Sequence, residues 1–122
     1  MKNCIFIIPG ELTDLNTYIN AERTNRYKAA SIKKAETQRV WGELENQKVK
    51  PIKGIVEMIC TWYTKDLKKD SDNVAFALKY ILDGMVLAKV LPDDSRKYTG
   101  SIVHIFDVDA KKPRVEIDIT QR

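Results

Sequence analysis

The stretch that follows Pro51, Ile52-Lys53-Gly54-Ile55-Val56-Glu57-Met58-Ile59-Cys60-Thr61-Trp62-Tyr63, constrains the fold more than any other part of the chain. Ile, Val, Met, Cys, Trp and Tyr stand at nearly successive positions, and β-branched and aromatic side chains suit a pleated surface. Pro51 separates this run from the preceding segment. The expectation is a long strand covered on both faces for much of its length.

Other strands frame it. Cys4 to Ile8 is a short apolar run stopped by Pro9-Gly10, which predicts an opening strand and a turn. Ser101 to Val108 and Pro113 to Thr120 alternate in polarity around Asp109 to Lys112, which predicts a closing β-hairpin. Between the first strands, Glu22 to Gln47 is rich in Ala, Lys, Glu, Gln and Arg, with Gly42 the only weak point. That favours a helix with a narrow apolar stripe of Ile32, Ala35, Val40, Trp41 and Leu44. A second helix is expected from Asp70-Ser71-Asp72-Asn73, all capping residue types, through Val74, Leu78, Ile81 and Met85, which form one apolar stripe. It should end near Val90, because Pro92 cannot continue it. The order strand, helix, strand, helix, strand, strand gives an α+β domain spanning residues 1–122, with a mixed β-sheet and two main helices.

Composition narrows the classes. At 122 residues and 43% hydrophobic content the chain suits one domain and not two, and a core of this size gains from dimerisation. The formal net charge of +4 permits an anionic partner without identifying one. Cys4 and Cys60 lie in apolar runs and form no CxxC pair, so they read as buried reduced thiols in a cytoplasmic protein, not zinc ligands. Neither a signal-peptide core nor a membrane-length apolar segment is visible, so no membrane association is expected.

Chemistry concentrates after residue 69. Asp70 and Asp72, then Lys79, then Asp93-Asp94, surround one expected helix. Carboxylate oxygens suit magnesium or manganese, which need only a few such ligands and keep several waters. On a continuous helix, seven residues at about 100° each bring Lys79 to within ~20° of Asp72 around the axis and ~10 Å along it. Lys79 could then reach a phosphate held by the carboxylate. Each residue also has a plainer structural reading. Asp70 or Asp72 could cap the helix, Asp93 and Asp94 could be turn residues, and Lys79 could pair with Asp83. Lys65, Lys68 and Lys69 could be a solvated loop, the lone His104 an edge residue, and Trp41 and Trp62 packing groups.

Several motif classes fall away. An EF-hand loop starting at Asp70 would place Val74, Ala75 and Ile81 at its fifth, sixth and twelfth positions, which excludes that calcium site. Phosphate-binding and dinucleotide-binding glycine loops are missing, so no nucleotide cofactor is expected. A single histidine argues against a nucleophile triad.

Asp70-Ser71-Asp72-Asn73, Lys79-Tyr80-Ile81-Leu82-Asp83-Gly84 and Leu91-Pro92-Asp93-Asp94-Ser95-Arg96-Lys97-Tyr98 together resemble the RusA family of Holliday junction resolvases. The resemblance is strongest to forms encoded by phages and prophages of Gram-positive bacteria. It extends to Ile8-Pro9-Gly10-Glu11-Leu12 and Leu15-Asn16-Thr17-Tyr18-Ile19-Asn20, and so covers nearly the whole chain. It implies a homodimeric, magnesium- or manganese-dependent endonuclease that resolves four-way DNA junctions by paired nicks in recombination and repair. By position, Asp70, Asp72 and Asp94 match the metal-binding acids, with Asp93 beside them, and Lys79 is the best match to the functional lysine. Lys65, Lys68, Lys69, Arg96 and Lys97 would hold backbone phosphates, and Asn16, Tyr18 and Asn20 would shape the site or the junction contact. Two departures stand out: in the best-known enterobacterial form the lysine follows the Asp-Asn pair more closely, and its basic loop is rich in arginine instead of lysine. A nuclease of flaps or other branched DNA, a catalytically silent junction-binding module and a helix-presenting interaction protein are the competing readings.

Overall fold

In the computed structural model, which describes residues 3–122, the element order is β1 (Asn3–Pro9), α1 (Leu15–Thr24), α2 (Arg26–Asn46), β2 (Val56–Thr64), α3 (Ser71–Ala75), α4 (Leu78–Leu87), β3 (Thr99–Val108) and β4 (Arg114–Gln121). The four strands form one mixed sheet in the order β1-β4-β2-β3. β4 runs antiparallel to both β1 and β2, and β2 runs parallel to β3. The result is the expected α+β domain with a mixed sheet.

The expected β-hairpin is corrected. β3 and β4 lie on opposite sides of β2 instead of pairing with each other. Neighbouring strands are ~4.8 Å apart, so the link between them spans two such steps, and a five-residue segment reaches that far. That link, residues 109–113, crosses the end of β2, where the Asp109 N–H donates to the Thr64 carbonyl at 2.9 Å. A short turn after an alternating run therefore looked like a hairpin although the sheet inserts a third strand.

β2 is central, as its composition demands, but it is covered on one face only. Val56, Met58, Cys60 and Trp62 are buried, while Ile59 between them is 42% exposed. The same alternation buries Phe6 and Ile8 of β1 and Val115, Ile117 and Ile119 of β4. These side chains meet Val40 and Leu44 of α2 and Ile81 and Met85 of α4 in one core. Burial pushes the Cys60 thiol up to about 12, in keeping with an unreactive core group, whereas Cys4 is only partly buried. His104 of β3 accepts at Nδ1 from the Trp62 indole N–H at 2.9 Å, a structural tie between neighbouring strands.

The helical layer has four segments where two helices were expected. α1 is capped by Asp14, whose side chain accepts from the Thr17 N–H, and Asn25 ends α1 and starts α2. The α2 stripe holds at Val40 and Leu44, but Ala29 and Glu36 complete it, and Trp41 is exposed. The second expected helix is divided at Phe76-Ala77, where bonds such as Ala77 N–H to Val74 O and Tyr80 N–H to Ala77 O span three residues. The tighter turns rotate the chain by more than 100° per residue, so the angular match between Asp72 and Lys79 does not carry over. α4 crosses α2 at Gly84, where an added Cβ would stand 2.5 Å from a Val40 methyl. No helix among the described residues is long and apolar enough to cross a membrane.

Candidate functional site

Asp70 stands at the N-cap position of α3 with extended backbone (φ −67°, ψ 155°), yet its side chain makes no capping hydrogen bond. Asp72 sits in the first turn and is exposed. Neither carboxylate joins an ion pair or side-chain hydrogen bond among the described residues. The capping explanation for Asp70 therefore loses its geometric basis. Asn73 is buried instead, and its Oδ1 accepts from the Asn16 N–H at 2.9 Å, which ties α3 to the start of α1.

The loop that delivers Asp70 is held from beneath. The Lys69 ammonium lies 3.2 Å from Glu11 Oε1 and 3.1 Å from Asp14 Oδ2. Glu11 also accepts from the Lys65 N–H, so it grips both ends of the loop. Burial disfavours the charged Asp14, but the Thr17 donors and the Lys69 ammonium outweigh it and hold the carboxyl below its usual range. Burial likewise opposes the Lys69 charge, and bonds to Asp14 and Glu11 outweigh it, raising the ammonium pKa. Lys69, expected on the DNA, is thus used inside the protein, whereas Lys65 and Lys68 are exposed. Beside the clamp a cavity of about 20 Å³, lined by Leu12, Trp62, Val74 and Val115 among others, has room for a water and not for a small-molecule substrate.

α1 contributes its expected residues unevenly. Asn16 and Asn20 are exposed, while Tyr18 is half-buried with its ring 5.4 Å from that of Phe76. Phe76 in turn meets Tyr80 edge-on at 5.7 Å. Among the described residues the buried Tyr80 hydroxyl has no hydrogen-bond partner, and burial followed by the nearby Glu36 carboxylate raises its pKa. Glu36 and Asp14, both buried, were missed in the sequence. Glu36 takes the Thr13 N–H at 2.7 Å, and a charged residue at an i+7 spacing from Ala29 was the only available signal.

Asp93 and Asp94 are exposed in a different place. Asp94 lines a shallow groove with Lys33, Thr37, Asp83, Val86 and Leu87, beside the C-terminal half of α4. Asp94 thus shares a groove with Asp83 of α4, and neither Asp70 nor Asp72 lines that groove. Among the described residues no three His, Cys, Asp or Glu side chains gather as a metal-holding group. As placed here, Asp70, Asp72 and Asp94 do not come together as one ligand set. Lys79, half-exposed, stands 3.9 Å from Asp83, the i,i+4 pairing that its plainer reading predicts, and Lys33 reaches Asp83 at 3.8 Å. Arg96 and Lys97 are exposed in the Asp94 loop, with Lys97 5.6 Å from the Tyr98 ring centre.

No protein-family model matches the chain, and no curated protein aligns with it as a relative.

Proposed function

We propose that this chain is a RusA-like, metal-dependent endodeoxyribonuclease that acts on branched DNA, with the four-way junction as its substrate. The observation that carries the reading is the state of Asp70 and Asp72: two carboxylates presented at a helix start, without a capping bond or ion pair, on a loop fastened by Lys69, Glu11 and Asp14. No ion pair or capping bond among the described residues gives these two charges a role in stability. The cavity of about 20 Å³ beside the clamp is too small to be the substrate site.

The roles follow from exposure. Lys65 and Lys68 flank Asp70 and would take backbone phosphates, in contacts that weaken as salt rises. The Asn16 backbone N–H is bonded to the Asn73 side chain, which ties the start of α1 to α3, and the exposed Asn16 side chain would be free for the junction contact. Lys79, at the far side of the helical turn and paired with Asp83, would contribute a general positive field.

A catalytically silent junction-binding module is the second reading, favoured by the failure of the three acids to meet within one chain. Asp72→Asn separates the two. The nuclease reading expects cleavage of a labelled junction to fall to background while binding in a gel-shift assay stays within about twofold, as for loss of an interaction made only in the transition state. A wild-type protein that binds the junction and never nicks it in magnesium or manganese would establish the silent module.

A further inference from the structure

The sheet has two poles, and the surplus positive charge of the chain sits at one of them. β2 begins at Val56 and β3 begins beside it at Thr99, while the Asp70 loop leaves from the opposite pole at Thr64. Two segments meet at the Val56 pole: residues 47–54, between α2 and β2, and residues 88–98, between α4 and β3. The Ile52 N–H donates to the Val90 carbonyl at 3.0 Å and the Val56 N–H to the Tyr98 carbonyl at 2.9 Å, which joins the segments into one surface. They carry Lys48, Lys50, Lys53, Lys89, Arg96 and Lys97 against only Asp93 and Asp94. That excess equals the whole formal net charge of +4, so the remainder of the chain is balanced. All six cations are exposed, and none joins an ion pair among the described residues.

Two of the six occupy positions where lysine is unusual. At the end of α2 the Lys48 N–H donates to the Glu45 carbonyl at 3.1 Å and the Val49 N–H to the Leu44 carbonyl at 3.0 Å. At the end of α4 the Lys89 N–H donates to the Val86 carbonyl at 3.0 Å and the Val90 N–H to the Met85 carbonyl at 2.8 Å. This paired-bond ending needs one left-handed residue, ordinarily glycine. Here it is lysine both times, with φ 57° and 61°, a conformation that L side chains disfavour. The negative end of each helix dipole attracts a cation, which is the plain reading of Lys48 and Lys89. A lysine in the last turn followed by glycine would serve that purpose without strain, yet neither helix has a basic residue in its last turn. Lys50, Lys53, Arg96 and Lys97 lie beyond both helices, outside that explanation.

An unpaired cationic surface fits a polymer of phosphates, whose backbone oxygens take Lys and Arg with release of counterions. Binding at a lipid surface also buries apolar side chains, and neither segment exposes a large one. We propose that Lys48, Lys50, Lys53 and Lys89, none of which lies in the motifs of the resemblance, form with Arg96 and Lys97 a site for the phosphate backbone of duplex DNA at the Val56 pole. DNA as the polymer rests on the nuclease reading; the site itself rests on the charges and their placement.

Binding of a labelled linear duplex across a salt series, in EDTA so that no strand is cut, tests it. Each phosphate contact contributes about 0.9 to the slope of log affinity against log salt. Lys48→Gly with Lys89→Gly keeps the backbone that both helix ends need, and is expected to make the slope shallower by about 2 without lowering the melting temperature. Lys50→Gln with Lys53→Gln, away from the helix ends, is expected to give the same change in slope. From about 50 to 200 mM salt the wild type should lose roughly tenfold more affinity than either double variant. Unchanged slopes in both double variants would overturn the site and leave the nuclease reading standing. The expected slopes in a protein that never nicks a junction would retain the site and refute the nuclease. Binding to phosphatidylserine vesicles that both variants lose, with duplex binding kept, would overturn the site in favour of a lipid surface.

Discussion

The two ends of the sheet are built differently. At the Thr64 end, Glu11, Asp14 and Lys69 form a partly buried ion-pair cluster, Asn16 is bonded to Asn73, and Asp70 and Asp72 have no ion-pair partner among the described residues. At the Val56 end, Asp93, Asp94, Arg96 and Lys97 are exposed on a turn closed by the Tyr98 and Thr99 N–H groups at the Ser95 carbonyl. One end is fixed by charge in a low-dielectric setting, and the other by a few backbone bonds. The contrast teaches that a set of acids near one helix in sequence can be divided between the two ends of a sheet, in settings of different rigidity.

The contrast can be broken at its strongest point first. Lys69→Met leaves two partly buried carboxylates without their cation, and the expected loss is about 2 kcal/mol in urea unfolding, from charged hydrogen bonds removed at one end. Lys97→Met at the other end should change stability by less than about 0.5 kcal/mol. Equal effects would erase the difference between the poles. Tyr80→Phe sharpens it from the other direction: deleting a buried hydroxyl with no partner should stabilise by about 1 kcal/mol and raise the melting temperature.

The smallest effect is in acid. Asp14 has a folded pKa below its ordinary 3.8, so its contribution is complete above that value and is lost as pH falls through the folded pKa. Asp14→Asn keeps a good cap for Thr17 but removes the charge facing Lys69. Its stability should fall less steeply below pH 3.8 than that of the wild type, by a few tenths of a kcal/mol per pH unit. Unchanged acid limbs in urea titrations from pH 5 to 2 would exclude Asp14 from the cluster.

Much of this architecture was legible in the residues. β1 and β2 declared themselves by apolar runs ended by Pro9-Gly10 and begun after Pro51, and β2 proved central. Its uncovered face was hidden because Ile59 is as apolar as Met58, so exposure there depends on which elements fold over the sheet. α1 escaped notice because Asn16, Thr17, Tyr18 and Asn20 have modest helix propensity, and the Asp14 cap and packing against α2 outweigh it. The break between α3 and α4 carries no Gly or Pro and arises where Phe76 turns toward Tyr18 and Tyr80. In the candidate site, Asp70 and Asp72 were visible as a motif, but Lys69 looked like a solvated loop residue. Its partners Glu11 and Asp14 are more than fifty residues away in sequence, and only the fold brings them together.

The measurement that bears most directly on the account is cleavage of a labelled synthetic four-way junction against a matched linear duplex, in magnesium, in manganese and in EDTA. Symmetrically paired nicks that are confined to the junction and vanish in EDTA are the predicted result. Equal cutting of junction and duplex, nicking that persists in EDTA, or no cutting in either metal would contradict it.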